Sequence, residues 1–420
     1  MNALLVGGRD ANAYALLILG AIFFQNALSL VAELLNLKAL RPELPAGFEG
    51  VYDAERYARS QEYTRARTRF SFWPQGFDLA LLFGFWFAGG FAWLDGWTRG
   101  FGFGPIVTGL VFMGVVALAK TILDLPFRYY STFVIEERFG FNKSTRATFW
   151  ADTAKGLALG VVLGAPLLAA ILWFFERAGA SAWLLCWGAT ALFTLFVQFI
   201  APTWIFPLFN KFEPLGEGEL RAAVLAYAQK VAFPLEGLFV IDGSRRSTKA
   251  NAFFSGFGRK KRVALFDTLV AKHPVEELVA VVAHEIGHYK KGHILKGLVL
   301  AILQAGVIFY LLSLFLQHDG LFAAFGVTQR SVHAGLVFFS LLYTPLELVL
   351  SFAMQAFSRR NEFEADAYAR ATTGTPERLV SALQRLSADS LTNLTPHPLY
   401  VALHHSHPPL VERVRALRGG

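Results

Sequence analysis

The chain has 420 residues, of which 54% are hydrophobic and only 17% are charged, and its mean hydropathy is +0.42. This composition excludes an ordinary water-soluble protein and predicts a polytopic membrane protein. The formal charge is +8, and the basic residues are spread over the segments between apolar runs. Their role in orienting the chain in a membrane explains this distribution more simply than nucleic-acid binding does. The single cysteine, Cys186, excludes an intramolecular disulfide and a cysteine metal site.

Seven apolar stretches are long enough to cross a membrane as helices of about twenty residues. They lie near residues 12–36, 77–97, 103–125, 153–175, 181–206, 294–317 and 331–355. The first is too long for a signal-peptide core, so we interpret it as a retained helix. The expected fold class is therefore mainly α, with seven transmembrane helices.

The segments that connect these stretches alternate in charge. Seven basic residues follow the first stretch, whereas Arg99, Arg177 and Arg330 each stand alone in every second loop. Because Lys and Arg are enriched in cytoplasmic loops, the N-terminus is predicted to face outwards and the C-terminus to lie in the cytoplasm. Both long basic segments are then cytoplasmic as well.

Residues 209–293, between the fifth and sixth stretches, have the character of a soluble protein. A helix is predicted near Glu217–Val231, and short β-like runs occur at Leu238–Ile241 and Arg262–Asp267. The Gly- and Lys-rich run 256–261 is typical of a flexible connection. A small sheet is expected here.

The most informative stretch is His284-Glu285-Ile286-Gly287-His288. On a helix, the four-residue step places both imidazoles on one face, beside a carboxylate that can act as the general base of a zinc hydrolase. In the alternative interpretation, these three polar groups only form hydrogen bonds on a buried helix. That would require a partner for each of them inside an apolar stretch.

A catalytic zinc usually has three protein ligands and one open position, so two histidines need a distant partner. Residues 359–368 follow the seventh stretch as its helical continuation. There, Glu362 and Asp366 share a face, whereas Glu364 points away from both. We predict that Glu362 is the third ligand and that Asp366 accepts a hydrogen bond from one histidine ring. The alternative is a solvated, charged helix end.

Four charged residues lie within the apolar stretches, namely Glu33, Lys120, Asp124 and Glu347. Because ionisable groups are costly in hydrocarbon, they indicate a water-filled interior. Pairing between Lys120 and Asp124, four residues apart, without any cavity, is the alternative.

The C-terminal run His404-His405-Ser406-His407-Pro408-Pro409 matches no common zinc spacing, and its prolines break any helix. We interpret its histidines, with His397, as residues that line the active site. His407 and Arg413 are predicted to donate hydrogen bonds to the oxyanion that forms at a peptide carbonyl.

Together these features resemble the type I CAAX prenyl protease family of integral-membrane zinc metallopeptidases. The resemblance is carried by Val134–Lys143, Asn251–Phe253, Asp267–Leu269, His284–His288, Asn361–Ala369 and Ser406–Pro408 with Glu412 and Arg413. It implies a seven-helix barrel around a water-filled chamber, with a small sheet beside a gluzincin-like zinc site. By the same resemblance, the positions matching His284, His288 and Glu362 hold one Zn²⁺, and the position matching Glu285 is catalytic.

The resemblance also implies that Asn251, Ala252 and Phe253 form an edge strand that pairs with the substrate backbone. Two positions depart from the family pattern: Phe253 stands where Tyr is common, and Glu364 where Gln is common. We expect neither to touch the chemistry.

The expected function is peptide hydrolysis, either on prenylated C-terminal CAAX peptides or on membrane polypeptides in a bacterial host. The expected partners are a peptide or prenylated protein and membrane lipid, without nucleic acid. A bacterial inner membrane is favoured over the endoplasmic reticulum. The predicted domains are a transmembrane region, 1–208, with five helices, and a zinc peptidase domain, 209–420, with two more.

The alternative is a transporter or channel with a structural zinc site. Glu285 argues against it, because a structural site is normally closed by four protein ligands and has no use for a free carboxylate.

Overall fold

The computed structural model describes residues 5–6, 10–255 and 261–419. The predicted flexible run 256–261 therefore lies, except for Lys261, outside the described residues. Among the described residues, six continuous helices are long and apolar enough to cross a membrane, and a bent pair of helices, counted as one span, gives seven. The prediction of a mainly helical membrane protein with a small sheet is confirmed.

The first half of the chain contains five of these membrane-crossing units, preceded by the short strands Leu5–Val6 (β1) and Asp10–Ala11 (β2). The units are Ala13–Lys38 (α1); Ala54–Phe87 (α2) with Gly90–Arg99 (α3); Pro105–Tyr130 (α4) with a π-helical turn to Glu136; Arg146–Leu159 (α5) with Ala165–Arg177 (α6); and Ala182–Ile200 (α7) with Phe206–Phe209 (α8).

The second crossing is not the single helix that was predicted over 77–97. Helices α2 and α3 meet at an angle of 65°. Gly89 lies between them with a φ of +76°, in the left-handed region that glycine adopts without steric cost. The turn allows Trp86 to stack on Phe325, with ring centroids 4.4 Å apart, at the centre of an aromatic core in the membrane part.

The segment after the fifth crossing forms a four-stranded sheet with flanking helices. Its elements are Phe212–Pro214 (β3), Glu219–Lys230 (α9), Leu235–Ile241 (β4), Ala252–Ser255 (β5), Lys261–Phe266 (β6), Asp267–Val270 (α10) and Val275–Lys290 (α11). The strand order is β3-β4-β6-β5, with β4 and β6 parallel and the outer strands antiparallel. The predicted helix and both predicted strands are confirmed as α9, β4 and β6, whereas β3 was not predicted.

The remaining elements are His293–Phe315 (α12), Asp319–Ala323 (α13), Val332–Thr373 (α14), Pro376–Asp389 (α15), Pro398–His404 (α16) and Leu410–Arg418 (α17). Helix α14 is 42 residues long. It begins as a membrane helix and ends among the soluble elements, so residues 359–368 do continue the seventh crossing. One rigid element thereby joins both parts of the molecule.

Three of the four charged residues predicted within the crossings are paired or line a polar cavity, whereas Glu347 is exposed. Lys120 pairs with Asp124 along α4, as the alternative interpretation proposed, and also with Asp78 of α2, 3.1 Å away. Glu33 is buried and accepts a hydrogen bond from Gln75 at 2.8 Å. Glu33 also lines a polar cavity of about 390 Å³. Pairing therefore describes Lys120 and Asp124, whereas the polar cavity applies to Glu33.

Helix α11 packs between the sheet and helices α14 and α15. Val282 and Ile286 are fully buried in a core shared with Val263 and Leu265 of β6. At the start of α11, burial tends to raise the pKa of Glu277, but hydrogen bonds from residues that include Ser381 and Arg385 of α15 hold it below its ordinary value. The orientation of α11 is therefore fixed on both faces.

The contact between α11 and α14 is closest at Gly287. A Cβ atom at this position would lie 3.0 Å from the carbonyl oxygen of Ala365 and 3.1 Å from its Cα. Because both of these atoms belong to the backbone, they cannot rotate away. Only glycine permits the two helices to approach so closely.

We therefore expect Gly287→Ala to destabilise the fold by about 1–3 kcal/mol, since the helices must separate. Gly297→Ala in α12 is the matched control, because no atom lies within 4 Å of the Cβ position there. Thermal unfolding of the detergent-solubilised protein measures both. Equal melting temperatures for the two variants would show that the helix contact does not constrain residue 287.

Candidate metal centre and active site

Three side chains from α11 and α14 converge on one point. The Nε2 atoms of His284 and His288 are 3.1 Å apart. Oε1 of Glu362 lies 3.2 Å from Nε2 of His288, and its Oε2 lies 3.5 Å from Nε2 of His284. Ligand atoms that share a tetrahedral zinc at bonds of 2.0–2.1 Å are separated by about 3.3 Å. The spacing of these three groups matches such a site.

The burial and the hydrogen bonding of the Glu362 carboxylate support this fit. The residue is only 5% exposed, and its Oε2 forms no hydrogen bond within the described part of the chain. A buried carboxylate oxygen without a hydrogen bond is costly; Nη1 of Arg413, 3.3 Å away, offsets part of that cost, and a bound metal cation would offset more. Two nitrogen atoms and one carboxylate are a donor set that zinc accepts. The residues present therefore fit a divalent metal ion.

Two buried side chains hold His284 in place. Its Nδ1 lies 2.9 Å from Oδ1 of Asp366, as predicted for the residue that orients one ring. Arg413 donates to both oxygens of Asp366, at 2.8 and 2.7 Å, and its Nη1 lies 3.3 Å from Oε2 of Glu362. A proton on Nδ1, facing Asp366, would leave the lone pair of Nε2 free for a metal.

A second chain of contacts, which the sequence analysis missed, holds His288. Its Nδ1 lies 3.0 Å from Nδ1 of His293, and Nε2 of His293 lies 3.2 Å from Oε2 of Glu364. Arg360 in turn donates to Glu364 at 3.1 Å. The sequence analysis placed Glu364 away from Glu362 and Asp366 and did not predict its contact with His293. The available signals were a histidine five residues after His288 and a glutamate where glutamine is common.

Glu285 lies on the same helix, between the two histidines, and is partly buried. Burial raises the pKa of its carboxyl, an effect that the neighbouring imidazoles of His284 and His288 oppose. A carboxylate with a raised pKa accepts a proton more readily than an exposed one, which suits a general base.

Among the C-terminal histidines, His407 is the one placed against the converging group. Its Nε2 lies 3.3 Å from Oε1 of Glu362, while 63% of its side chain remains exposed. His397 instead caps helix α16, because its Nδ1 accepts from the backbone N–H of Leu399. The rings of His404 and His405 pack against Tyr400. Of these four histidines, His407 is the one that contacts the converging group within the described part of the chain, and the site-lining role of the other three stays a prediction.

Strand β5 lies at the edge of the sheet and contacts α11. The carbonyl of Asn251 accepts a hydrogen bond from Phe266 of β6 at 3.0 Å. Because bonding alternates along an antiparallel pair, the N–H and C=O groups of Ala252 and Phe254 point to the open edge. Phe254, which was not among the predicted substrate-binding residues, thus presents backbone groups there, whereas Phe253 bonds inwards.

The segment that leads into β5 is held by the turn after α4. Lys249 contacts Oε2 of Glu136 and the hydroxyl of Tyr63, each at 2.7 Å. The backbone N–H of Thr248 donates to the carbonyl of Phe141 at 3.1 Å. The segment Val134–Lys143 therefore supports the strand beside the site.

This combination defines a class of protein: a polytopic membrane metallopeptidase, in which two histidines and a glutamate could hold a metal ion beside a further glutamate and an open strand edge. Comparison with known proteins agrees. Residues 33–211 match the family profile for the CAAX prenyl protease N-terminal region with five membrane helices, and residues 214–420 match that of peptidase family M48.

The chain is similar along most of its length to proteins named CAAX prenyl protease 1 or its homolog. It is 38% identical to that of Arabidopsis thaliana, with 92% of this chain and 93% of the relative covered. It is 35% identical to that of Saccharomyces cerevisiae (90% and 89% covered) and 33% identical to that of Homo sapiens (89% and 88%).

Among solved structures, S. mikatae Ste24p superposes with a TM-score of 0.91 at 33% identity, covering 96% of this chain and 99% of that one. The chain therefore belongs to peptidase family M48, among the CAAX prenyl proteases. It is a multi-pass membrane metalloprotease with a metal cofactor, and the transporter alternative is not favoured.

The geometry predicts different consequences for two glutamates of α14. Glu362→Ala removes a converging oxygen and should abolish metal retention. Glu364→Ala removes only the acceptor behind His293 and should weaken metal affinity about 10–100-fold. Elemental analysis and chelator competition measure both.

Glu364→Gln is the matched control, because its amide oxygen can still accept from His293, and its metal affinity should stay close to that of the parent. Full metal retention by Glu362→Ala would assign the third ligand elsewhere.

Proposed function

We propose that the protein is a zinc metalloendopeptidase of the CAAX prenyl protease type, with one Zn²⁺ held by His284, His288 and Glu362. The observation that carries this proposal is the convergence of these three side chains beside Glu285 and the open edge of β5. A zinc ion bound there would lower the pKa of a water molecule and polarise the scissile carbonyl.

Glu285 acts as the general base, which takes a proton from the attacking water and later delivers it to the leaving amine. Asp366 and His293 keep the two imidazoles aligned. Glu285 lies on α11, Asp366 on α14 and His293 at the start of α12.

His407 and Arg413 stabilise the oxyanion of the tetrahedral intermediate. The two are not equivalent, because Nε and Nη2 of Arg413 are engaged by Asp366. Arg413 thus contributes mainly by fixing Asp366, and its remaining nitrogen, Nη1, lies 3.3 Å from Oε2 of Glu362. His407 is exposed, so its ring is the freer donor.

The substrate adds an extended strand beside the predicted segment Asn251, Ala252 and Phe253, through the outward backbone groups of Ala252 and Phe254. Support comes from the outward-facing N–H of Ala252, which donates to Oδ1 of Asn251 at 2.9 Å and not to β6, and from the position of β5 against α11. The ring of Phe253 packs on Phe206, with centroids 5.5 Å apart, which ties the strand to the end of the fifth crossing.

The proposed substrates are prenylated C-terminal CAAX peptides, because the similar proteins are named for that activity. A bacterial inner membrane is the proposed location, and since such a host has few prenylated proteins, membrane polypeptides are the second substrate class. The active site then faces the cytoplasm, in agreement with the charge alternation of the loops. The division into 1–208 and 209–420 follows the end of the fifth crossing.

The role of Glu285 is tested by Glu285→Gln. This variant should retain one zinc per chain but lose turnover by about 10²–10⁴-fold, because the amide cannot accept the proton. Prenylated and unprenylated peptides are assayed side by side, with and without a chelator. Glu276→Gln, an exposed carboxylate on the same helix, should behave as the parent. If Glu285→Gln cleaved peptide as fast as the parent, the proposed mechanism would be wrong.

Strand pairing is tested by Ala252→Pro, which removes an outward N–H that donates to Oδ1 of Asn251 and not to β6. We expect an increased KM with little change in metal content. Ala252→Val keeps the N–H and serves as the control for side-chain bulk. If the valine variant raised KM as much as the proline variant, the effect would be steric and backbone pairing would not be supported.

A further inference from the structure

A groove between α2 and α4 lies outside the catalytic site. Its volume is about 610 Å³. It is lined by Ala66, Arg69, Phe70, Trp73, Pro126, Phe127, Tyr130, Val134, Ile135, Arg138 and Phe139. The lining is aromatic and aliphatic except for two arginines. None of these residues takes part in the proposed mechanism.

The groove opens on the outside of the helical bundle. The polar cavity beside Glu33 is lined by Tyr63, Arg67 and Ser71 of α2. At 100° per residue, these side chains face away from Arg69 and Trp73, which line the groove. The groove is therefore accessible from the membrane side, and the polar cavity from the interior.

The groove also lies at the membrane boundary. Arg69 and Trp73 immediately precede the apolar stretch that begins near residue 77, whereas Phe127 and Arg138 follow the one that ends near 125. With the predicted orientation, both positions lie at the cytoplasmic interface. Trp73 is 73% exposed, and tryptophan side chains are enriched at this level of a bilayer.

The two arginines are available for an anion. Arg138 is 66% exposed and lies 4.0 Å from Glu62, itself 60% exposed, a distance at which an ion pair contributes little. Within the described residues, Arg69 forms no side-chain hydrogen bond or ion pair. Two guanidinium groups therefore flank an apolar slot.

We propose that this groove binds an anionic phospholipid of the cytoplasmic leaflet. Arg69 and Arg138 bind the headgroup phosphate and its net negative charge, and an acyl chain lies against Phe70, Trp73 and Phe127. Guanidinium groups form bidentate bonds with phosphate, and basic pockets between membrane helices bind such headgroups. The proposal does not depend on the peptidase activity.

The test uses the purified full-length chain in vesicles of phosphatidylcholine that contain brominated phosphatidylglycerol or, separately, brominated phosphatidylcholine. Bromine quenches tryptophan fluorescence at contact distance. Because the chain has 9 tryptophans, the signal of Trp73 is taken as the difference between the parent and Trp73→Phe. We expect this signal to be quenched at a mole fraction of brominated phosphatidylglycerol at least several-fold lower than that of brominated phosphatidylcholine.

The double substitution Arg69→Gln with Arg138→Gln should remove that preference. Arg65→Gln, an exposed arginine of α2 outside the groove, should keep it, as should the charge-retaining pair Arg69→Lys with Arg138→Lys. Equal quenching of the parent by both lipids would overturn the proposal. An equal loss in Arg65→Gln would also overturn it, because the preference would then reflect general surface charge.

Discussion

The close approach of α11 and α14 is the contact on which the site depends. Gly287 meets the backbone of Ala365 directly, so two histidines on one helix and a glutamate on the other come within hydrogen-bond distance. A side chain at residue 287 would separate them by moving backbone, and a metal site tolerates little displacement. The apolar residues that bury α11 against the sheet keep α11 in this position beside α14.

Charge balance is the second constraint. Glu362 and Asp366 are both buried, and buried carboxylates are stable only when paired. Arg413 compensates one of them through two hydrogen bonds and approaches the other with its third nitrogen. A divalent cation at the converging group would complete the compensation. Metal binding and the packing of the C-terminal helix α17 are therefore coupled, because Arg413 belongs to that helix.

The membrane and soluble parts meet through elements that belong to both. Helix α14 begins among membrane helices and carries Glu362 near its other end. The turn after α4 reaches Lys249, which precedes the edge strand, while the preceding residues of the same turn line the outer groove. The edge strand and the outer groove are therefore joined through one turn.

Local spacing determined much of this protein from the sequence: the crossings, from lengths of apolar residues; the motif helix, from its four-residue step; and the shared face of Glu362 and Asp366. Tertiary structure alone decided the bend at Gly89, strand β3, and the contacts of His293 with His288 and Glu364. The physical reason is that these features join residues of different helices and strands. Periodicity reports which side chains share a face of one element, whereas these contacts depend on how separate elements pack against each other.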